Sequence, residues 1–329
     1  MDALALCSQV RNSRWSRGPV RDKDGRLAVI QLTERDIEIL KLLARYRYLP
    51  ADDIHAFVGG SAKNVAHRLN LLSREPNLYI NRPHQQRQIA GTNSRPLIYE
   101  LDGRGITVLR ERDSLEPPRS YHRNFAHELM VCRIMASLEL GTRRTSAIRL
   151  IAWSEIMMSE KTPLATRTSP SPNSISVSIF VREQHRSIKV NADARPFGLE
   201  RTNRDGTRSY FFFPGIEADC GSEPIETADI DRSSIYKKLV AYRAVAEQGL
   251  HKSHFGFPNL FVPIITTSMT RMHSMMSLLS RLTDGRGSKM FLFKVFSSLA
   301  SPEQSRAPSG HMLFEPWQRV GFEPFNLVK

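Results

Sequence analysis

Residues 211–219 read FFFPGIEAD, and residues 233–242 read SSIYKKLVAY. The first segment is an apolar run followed by a proline, a glycine and two acids, which is typical of a strand that ends at the edge of a sheet. In the second segment Lys238 lies three residues after Ile235 and four before Tyr242, so on a helix the three side chains share one face. We expect Lys238 to point towards the sheet. The mixture of strands and helices predicts an α/β (α+β) domain, a mixed sheet covered by helices.

Acidic residues near this segment suggest phosphodiester chemistry. Asp193 follows the alternating segment 188–192, and Glu217 is expected to end the strand that begins at Phe211. Two adjacent strands would then bring these acids together. Hydrolysis of a phosphodiester without a covalent protein intermediate uses a hard cation held by carboxylates, and a lysine assists beside it. Asp193, Glu217 and Lys238 are therefore predicted catalytic residues.

Glu128 is a fourth candidate for this cluster. It lies three residues after Phe125 and four before Cys132 on a predicted helix, so it shares their face. A salt bridge or a helix-end acid is an equal alternative for this residue.

The composition favours a nucleic-acid partner. The chain has 47 Lys and Arg against 33 Asp and Glu, a formal net charge of +14, and chains this basic most often bind polyanions. Its three cysteines form no CxxC pair, so neither a disulfide framework nor a zinc site is predicted, and a reducing cytoplasm is the simplest location. No apolar run approaches the roughly 18 residues of a membrane span. No GxxxxGK[ST] loop indicates a nucleotide cofactor.

The N-terminal part predicts a winged helix-turn-helix. Thr33 and Asp36 are spaced as a capping box before a first helix. A second helix is expected to start at Leu49-Pro50 and stop at Gly59, and a third to run from Ser61 to about Ser73. Further expected elements are strands over 78–80 and 96–101, which form a hairpin wing, and a helix over 106–112. The predicted organisation is a basic, mobile leader over residues 1–30, a winged-helix domain over 31–115 and a second domain over 119–329.

The third helix and the wing carry the predicted DNA-reading surface. Asn and Arg side chains on a helix in the major groove can make bidentate contacts with adenine and guanine, and basic residues of a wing contact phosphates. Double-stranded DNA is therefore the expected partner. The candidate DNA-binding residues are Lys63, Asn64, His67, Arg68, Arg82 and Arg87. A solvated helix face, or a winged helix that contacts protein, is the alternative.

The second domain is expected to open with a helix over 122–140 that ends at Gly141. Strands are then predicted over 149–153, 175–181, 186–192, 260–266 and 290–296, and helices over 233–247 and 269–282. Pro263 inside one of these strands predicts a sheet edge or a bulge.

The order of these motifs resembles the replication-relaxation family of mobile elements, which is similar to PD-(D/E)XK nucleases and to MobC-type mobilisation relaxases. The resemblance covers most of residues 31–320. It rests on the winged helix, His127-Glu128-Leu129, Asp193-Ala194, the segment from Glu217 to Glu223, and Lys238 to Tyr242.

The resemblance implies nicking of DNA, such as a plasmid origin, with Mg²⁺ or Mn²⁺ as the cofactor. Asp193 and Glu217 would be metal ligands, with Asp219 as a further candidate. Asp219 stands where such nucleases carry the lysine of their ExK triplet, and Lys238 is expected to supply that charge from the helix.

Other interpretations remain open at the level of sequence. A non-catalytic DNA-binding replication accessory or repressor would keep the second domain for DNA contact or dimerisation, and a homodimer is compatible with the sequence. A partner-binding adaptor is a third class. A tyrosine nucleophile, for which Tyr210, Tyr236 and Tyr242 are candidates, is less favoured because no HxH cluster accompanies it.

Overall fold

The computed structural model describes residues 18–88, 96–114, 124–181, 184–227, 232–296 and 310–328. The chain divides into two compact units, residues 1–133 and residues 134–329. The predicted mixed α and β class is confirmed. The predicted boundary between the two domains, residues 116–118, lies outside the described residues.

The first unit combines short helices with a small antiparallel sheet. Its helices are α1 (Glu34–Tyr46), α2 (Ala51–Val58), α3 (Ala62–Leu72) and α4 (Gly103–Glu111), followed by the first part of α5 (Phe125–Arg143). Its strands are β1 (Leu49–Pro50), β2 (Ile80–Asn81) and β3 (Ile98–Leu101), in the order β1-β3-β2. The predicted capping box is present, since Thr33 accepts from the N–H of Asp36 and the Asp36 carboxylate accepts from the N–H of Thr33.

The hairpin of the first unit is shorter than predicted. Leu78 has a φ of 51°, a left-handed conformation that a strand residue does not adopt, so β2 begins only at Ile80. A 3₁₀ helix, His84–Gln88, follows β2. Leu49-Pro50, which was expected to start α2, instead forms β1 and pairs with Tyr99 and Ile98 of β3.

Part of the predicted mobile leader packs onto the first unit. Arg74 Nε donates to the carbonyl of Gly18 at 2.9 Å, and the Val20 N–H donates to the carbonyl of Glu75 at 2.9 Å. The Ile30 N–H donates to Asn77 Oδ1 at 3.1 Å. Side-chain and backbone groups of residues 74–77 therefore contact this part of the leader, and its mobility stays a prediction.

Helix α5 passes through Gly141, where it was expected to stop. A Cβ atom at Gly141 would lie 2.6 Å from the Cβ of Leu313, which is closer than two carbon atoms can approach. The glycine therefore serves close packing between α5 and the segment at Leu313, and the helix continues to Arg143.

The second unit contains three separate sheets. Its strands are β4 (Ile148–Ile151), β5 (Ile175–Val181), β6 (Gln184–Val190), β7 (Phe197–Thr202), β8 (Arg208–Phe213), β9 (Glu217–Asp219), β10 (Val262–Thr266), β11 (Ser288–Val295) and β12 (Gln318–Val320). Its helices after α5 are α6 (Trp153–Met158), α7 (Leu164–Arg167), α8 (Ile235–Glu247), α9 (Leu250–Phe255), α10 (Met269–Leu282) and α11 (His311–Phe314). The sheets have the strand orders β4-β7-β8, β5-β6 and β12-β11-β10-β9.

The segment that opened the sequence contains two strands of different sheets. The apolar run forms β8, but Pro214, Gly215 and Ile216 break it, and Glu217 begins β9 rather than ending β8. Strand β9 pairs in parallel with β10, and β10 pairs in parallel with β11. The acids therefore belong to the edge strand of the four-stranded sheet, on which α8 and α10 pack with their buried apolar side chains.

Strand β10 is an interior strand, so the edge position predicted from Pro263 is wrong. The ladder with β9 begins at Ile264, and at Pro263 only β11 is paired. The proline is tolerated there because the strand has a single neighbour at that residue. Among the described residues, no helix has the length and apolar character needed to cross a membrane.

Candidate active site and nucleic-acid interface

The buried Glu217 lies at the centre of a cluster of polar side chains between β9 and α8. Its side chain is 4 % exposed, and Lys238 Nζ lies 3.0 Å from Glu217 Oε2. Lys238 Nζ also lies 2.9 Å from Glu223 Oε2, and the Tyr242 hydroxyl donates to Glu217 Oε1 at 2.6 Å. Lys238 and Tyr242 reach the same carboxylate because they are one helical turn apart on α8. The predicted inward orientation of Lys238 is confirmed.

Asp193 reaches this place from a loop and not from an adjacent strand. Its N–H donates to the carbonyl of Ile216 at 2.9 Å, and its Oδ2 accepts from the N–H of Ala218 at 2.8 Å. The backbone groups on both sides of Glu217 therefore hold Asp193 against β9. We name Asp193, Glu217, Glu223, Lys238 and Tyr242 the acid–lysine cluster.

A glycine permits this approach of the Asp193 loop. Gly215 has a φ of 134°, and a Cβ atom there would lie 2.3 Å from the carbonyl oxygen of Ala194 and 2.5 Å from the Cβ of Ala192. Both neighbours flank Asp193. Only glycine combines this backbone conformation with such a close contact.

The cluster concentrates negative charge in a buried place. Burial raises the pKa of Glu217 to about 7; Lys238 opposes this rise, and the charge of Asp193 adds to it. Burial alone would lower the pKa of Lys238, but Glu217, Asp193 and Glu223 together raise it above its ordinary value. Lys238 therefore stays protonated, and Glu217 changes charge near neutral pH. Perturbed carboxylates of this kind are typical of functional sites.

Asp219 lies in a separate ion pair. Arg271 Nη2 donates to Asp219 Oδ1 at 2.8 Å, and Arg271 Nε and the Thr266 hydroxyl both donate to Oδ2. Both oxygens of Asp219 thus accept hydrogen bonds from a guanidinium on α10. The metal-ligand role that the sequence suggested for Asp219 stays a prediction.

Glu128 lies on α5 in the first unit, whereas the other predicted catalytic residues belong to the second. It is 3 % exposed, and the Cys132 thiol lies 3.9 Å from its Oε1. Burial raises the pKa of Tyr48 to about 12, and the charge of Glu128 contributes to that rise. The immediate surroundings of Glu128 are therefore those of a buried acid beside Tyr48 and Cys132.

Asp193 and Glu217 are suitable as a partial set of ligands for a magnesium or manganese ion. Within the described ranges, no group of three or more His, Cys, Asp or Glu side chains is arranged to hold a metal. Mg²⁺ commonly takes only one or two carboxylates and completes its shell with waters and substrate phosphates. Oxygen donors from two acids, in a pocket of excess negative charge, match that preference. A bound divalent cation would supply charge neutralisation and an activated water.

Three of the predicted DNA-binding residues lie on the solvent side of α3. Lys63, Asn64 and His67 are exposed, while Val65 and Leu69 of the same helix are buried. Arg87 is also exposed, on the 3₁₀ helix that follows β2. A polar and basic helix face next to a basic segment is the arrangement that DNA recognition needs.

The other two predicted DNA contacts hold the first unit together. Arg68 forms a bidentate pair with Asp36, with Nε 2.8 Å from Oδ1 and Nη2 2.6 Å from Oδ2, and this pair lowers the pKa of Asp36 although burial opposes it. Arg82 is 9 % exposed and donates to Asn70 Oδ1 at 2.7 Å. The prediction that Arg82 projects from the wing is therefore wrong, because the side chain turns inward to α3.

Sequence reasoning gave no role to two further members of these sites. Glu223 shares Lys238 with Glu217, and its position six residues after Glu217 in a loop carried no periodic signal. Arg271 binds Asp219 although the two are 52 residues apart in sequence, so no local sequence pattern connects them. Tyr242 had a usable signal, since it lies four residues after Lys238, but was considered only as a less favoured nucleophile.

Comparison with known proteins supplies a family but no close relative. No curated protein and no solved structure matches the chain significantly. The profile of a family described as replication-relaxation matches residues 40–260, about two thirds of the 329 residues. The matched region includes α3 and the whole acid–lysine cluster, and the family suggests a role in the replication of a plasmid or mobile element. The chain belongs to the replication-relaxation family.

Proposed function

We propose that this protein binds double-stranded DNA of a plasmid or mobile element and nicks it in a reaction assisted by Mg²⁺ or Mn²⁺. The observation that carries the proposal is the juxtaposition of Asp193 and Lys238 with the buried Glu217. Two carboxylates and a lysine are the side chains that metal-assisted phosphodiester cleavage uses.

Each residue of the cluster has a role in this proposal. Asp193 and Glu217 would hold the cation, and the backbone clamp on Asp193 keeps its carboxylate in place. Lys238 would stabilise negative charge that develops on the phosphate, since its pKa keeps it protonated. Tyr242 positions Glu217 through its hydrogen bond. Because Glu217 has a pKa of about 7, metal binding and nicking should increase as the pH rises through neutrality.

A plasmid-nicking assay tests the catalytic part. Supercoiled plasmid that carries the protein's native origin is incubated with the protein and Mg²⁺, Mn²⁺ or EDTA. We expect metal-dependent relaxation, and at least a hundredfold slower relaxation with Asp193→Asn, Glu217→Gln or Lys238→Met. Glu226→Gln is the matched control, because Glu226 is an exposed carboxylate that pairs with Arg281. A wild-type protein that shifts the plasmid without relaxing it under any metal would favour a non-catalytic replication accessory or repressor.

The DNA-binding part of the proposal is tested separately, by substitutions in the first unit. We expect Lys63→Ala with Arg87→Ala to weaken binding to duplex DNA and to reduce the salt dependence of log K by about 2, since each lost phosphate contact removes about 0.9. Lys41→Ala with Arg110→Ala is the control, because it removes one exposed lysine and one exposed arginine from α1 and α4. If both pairs of substitutions weakened DNA binding equally, Lys63 and Arg87 would not mark the DNA site. Arg68 is unsuitable as a probe, because its loss would break the pair with Asp36.

A further inference from the structure

Strands β5 and β6 form a hairpin that is a sheet by itself. Seven residue pairs join them, from Ile175 opposite Val190 to Val181 opposite Gln184. One face packs on the core through Ile175, Val177 and Ile179, which are buried. Because directly opposed residues of an antiparallel pair share a face, the other face consists of Ser176, Ser178, Phe180, His185, Ser187 and Lys189. All six of these side chains are exposed.

The outer face of this hairpin, defined by those six residues, has the chemistry of a nucleic-acid contact. Its serine hydroxyls both donate and accept hydrogen bonds, and Lys189 is a cation. Arg186 is also exposed, but it lies opposite Ile179 and therefore on the other face of the ribbon. The two strands as described, residues 175–181 and 184–190, contain no acid. Protein interfaces are depleted in lysine and serine, so a protein partner fits this surface less well.

The dimensions of the hairpin suit the major groove of DNA. Two paired strands lie about 5 Å apart, and seven residues extend for roughly 23 Å. The major groove, about 12 Å wide, admits a two-stranded ribbon of this kind. Short serine side chains let the backbone of the ribbon approach base edges, and exposed Phe180 offers an apolar contact for a thymine methyl group.

The base of the hairpin leads directly into the acid–lysine cluster. Strand β6 ends at Val190, and Asp193 follows three residues later, which is at most about 10 Å of extended chain. A duplex held on the ribbon would therefore lie beside Asp193.

We propose that the outer face of the β5–β6 hairpin is a second contact with double-stranded DNA, which presents the duplex to the acid–lysine cluster. This inference rests on the proposed function, since it takes DNA as the partner. The surface is nevertheless a different one, because the proposed function assigns DNA binding to α3.

Charge removal gives the first test. Lys189→Gln is compared in the full-length protein with Lys252→Gln, which removes an exposed lysine of α9. Equilibrium binding to duplex DNA is measured from 50 to 300 mM salt. We expect Lys189→Gln to reduce the salt dependence of log K by about 1 and Lys252→Gln to leave it unchanged. Equal slopes for the two variants would overturn the inference.

Photocrosslinking gives the second test, and it separates failure of this inference from failure of the proposed function. A benzophenone amino acid replaces Ser178, or Ser253 as an exposed control on α9. We expect crosslinks to labelled duplex from position 178 and not from 253. If the protein shifts DNA and Lys63→Ala with Arg87→Ala weakens the shift, but position 178 crosslinks no DNA, the hairpin inference fails alone. If the wild-type protein binds no DNA, both proposals fail.

Discussion

Glu217 carries a proton at a pH where most glutamates are ionised. Its folded-state pKa of about 7 lies above the ordinary value of 4.5, so the folded protein keeps this proton longer than the unfolded chain does. The stability linked to this proton is fully present below about pH 4.5 and is lost as the pH rises towards 7. Ionisation of Glu217 therefore lowers the stability of the folded protein. An apolar residue at a buried position would not have this destabilising effect.

We therefore predict a pH-dependent difference between the wild type and Glu217→Gln in buffer with EDTA. From pH 5 to pH 7.5 the free energy of unfolding of the wild type should fall relative to that of the variant by on the order of 3 kcal/mol. Urea unfolding at each pH measures it. Other groups, such as Asp53, whose burial raises its pKa to about 6, titrate equally in both proteins and cancel in the difference. A constant difference across this range would contradict the raised pKa.

At the scale of elements, the link between β8 and β9 decides where Asp193 lies. The segment from Pro214 to Ile216 moves the chain from one sheet to another, and Gly215 lets the Asp193 loop pack against it. The geometry of the acid–lysine cluster thus depends on a residue that has no functional group.

Gly215→Ala should reduce nicking at least tenfold and destabilise the protein by about 1–3 kcal/mol, because the new methyl group meets the backbone of Ala194. Gly206→Ala is the matched control: it also has a positive φ, of 81°, but nothing lies within 4 Å of its Cβ position. Relaxation rates and urea unfolding of both variants are compared. Equal effects would mean that backbone strain, and not the contact with the Asp193 loop, causes the loss.

The whole molecule has two compact units, and a buried ion pair stabilises the first. Arg133 Nε on α5 lies 2.8 Å from Asp53 Oδ2 on α2, and the two side chains are 4 % and 0 % exposed. Arg133→Met would leave the Asp53 carboxyl in an apolar interior, a loss of about 3–5 kcal/mol at pH 8. Below pH 6 the loss should be smaller, because Asp53 is then protonated.

Amide hydrogen exchange locates this loss. We expect faster exchange in α1, α2 and α3 of Arg133→Met, with little change in β10 and β11. Arg143→Met, which removes an exposed arginine paired with Glu139 on the same helix, is the comparison and should have a small effect. Equal acceleration of β10 and β11 would contradict an effect confined to the first unit.

The parts of this molecule that the sequence predicted are those with local signals. The capping box at Thr33, the shared face of Lys238 and Tyr242, and the helix over 269–282 follow from spacings within one or two turns. Strand β7 was missed because its sequence FGLERT contains a glycine and only two large apolar residues. Strand β7 forms because it pairs with β4 on one side and with β8 on the other. These pairings join segments that are apart in sequence, so no local pattern predicts them.

The acid–lysine cluster was predictable to the same extent. Asp193, Glu217 and Lys238 were expected to lie together because each sits on or after a regular element, and the structure places them together. The pairing of Asp219 with Arg271 was not predicted, because Arg271 belongs to a helix that is distant in sequence. The inward turn of Arg82 has the same cause, since Asn70, its acceptor, lies on another element.

The hydrogen bond from Tyr242 to Glu217 bears on how the proposed reaction would end. Burial, together with the neighbouring carboxylates, raises the pKa of this phenol well above its ordinary value, so the hydroxyl keeps its proton at neutral pH and donates it to Glu217. If water rather than this phenol attacks the phosphodiester, as we propose, no phosphotyrosine link forms. A nick would then be a committed event, and resealing it would fall to a ligase.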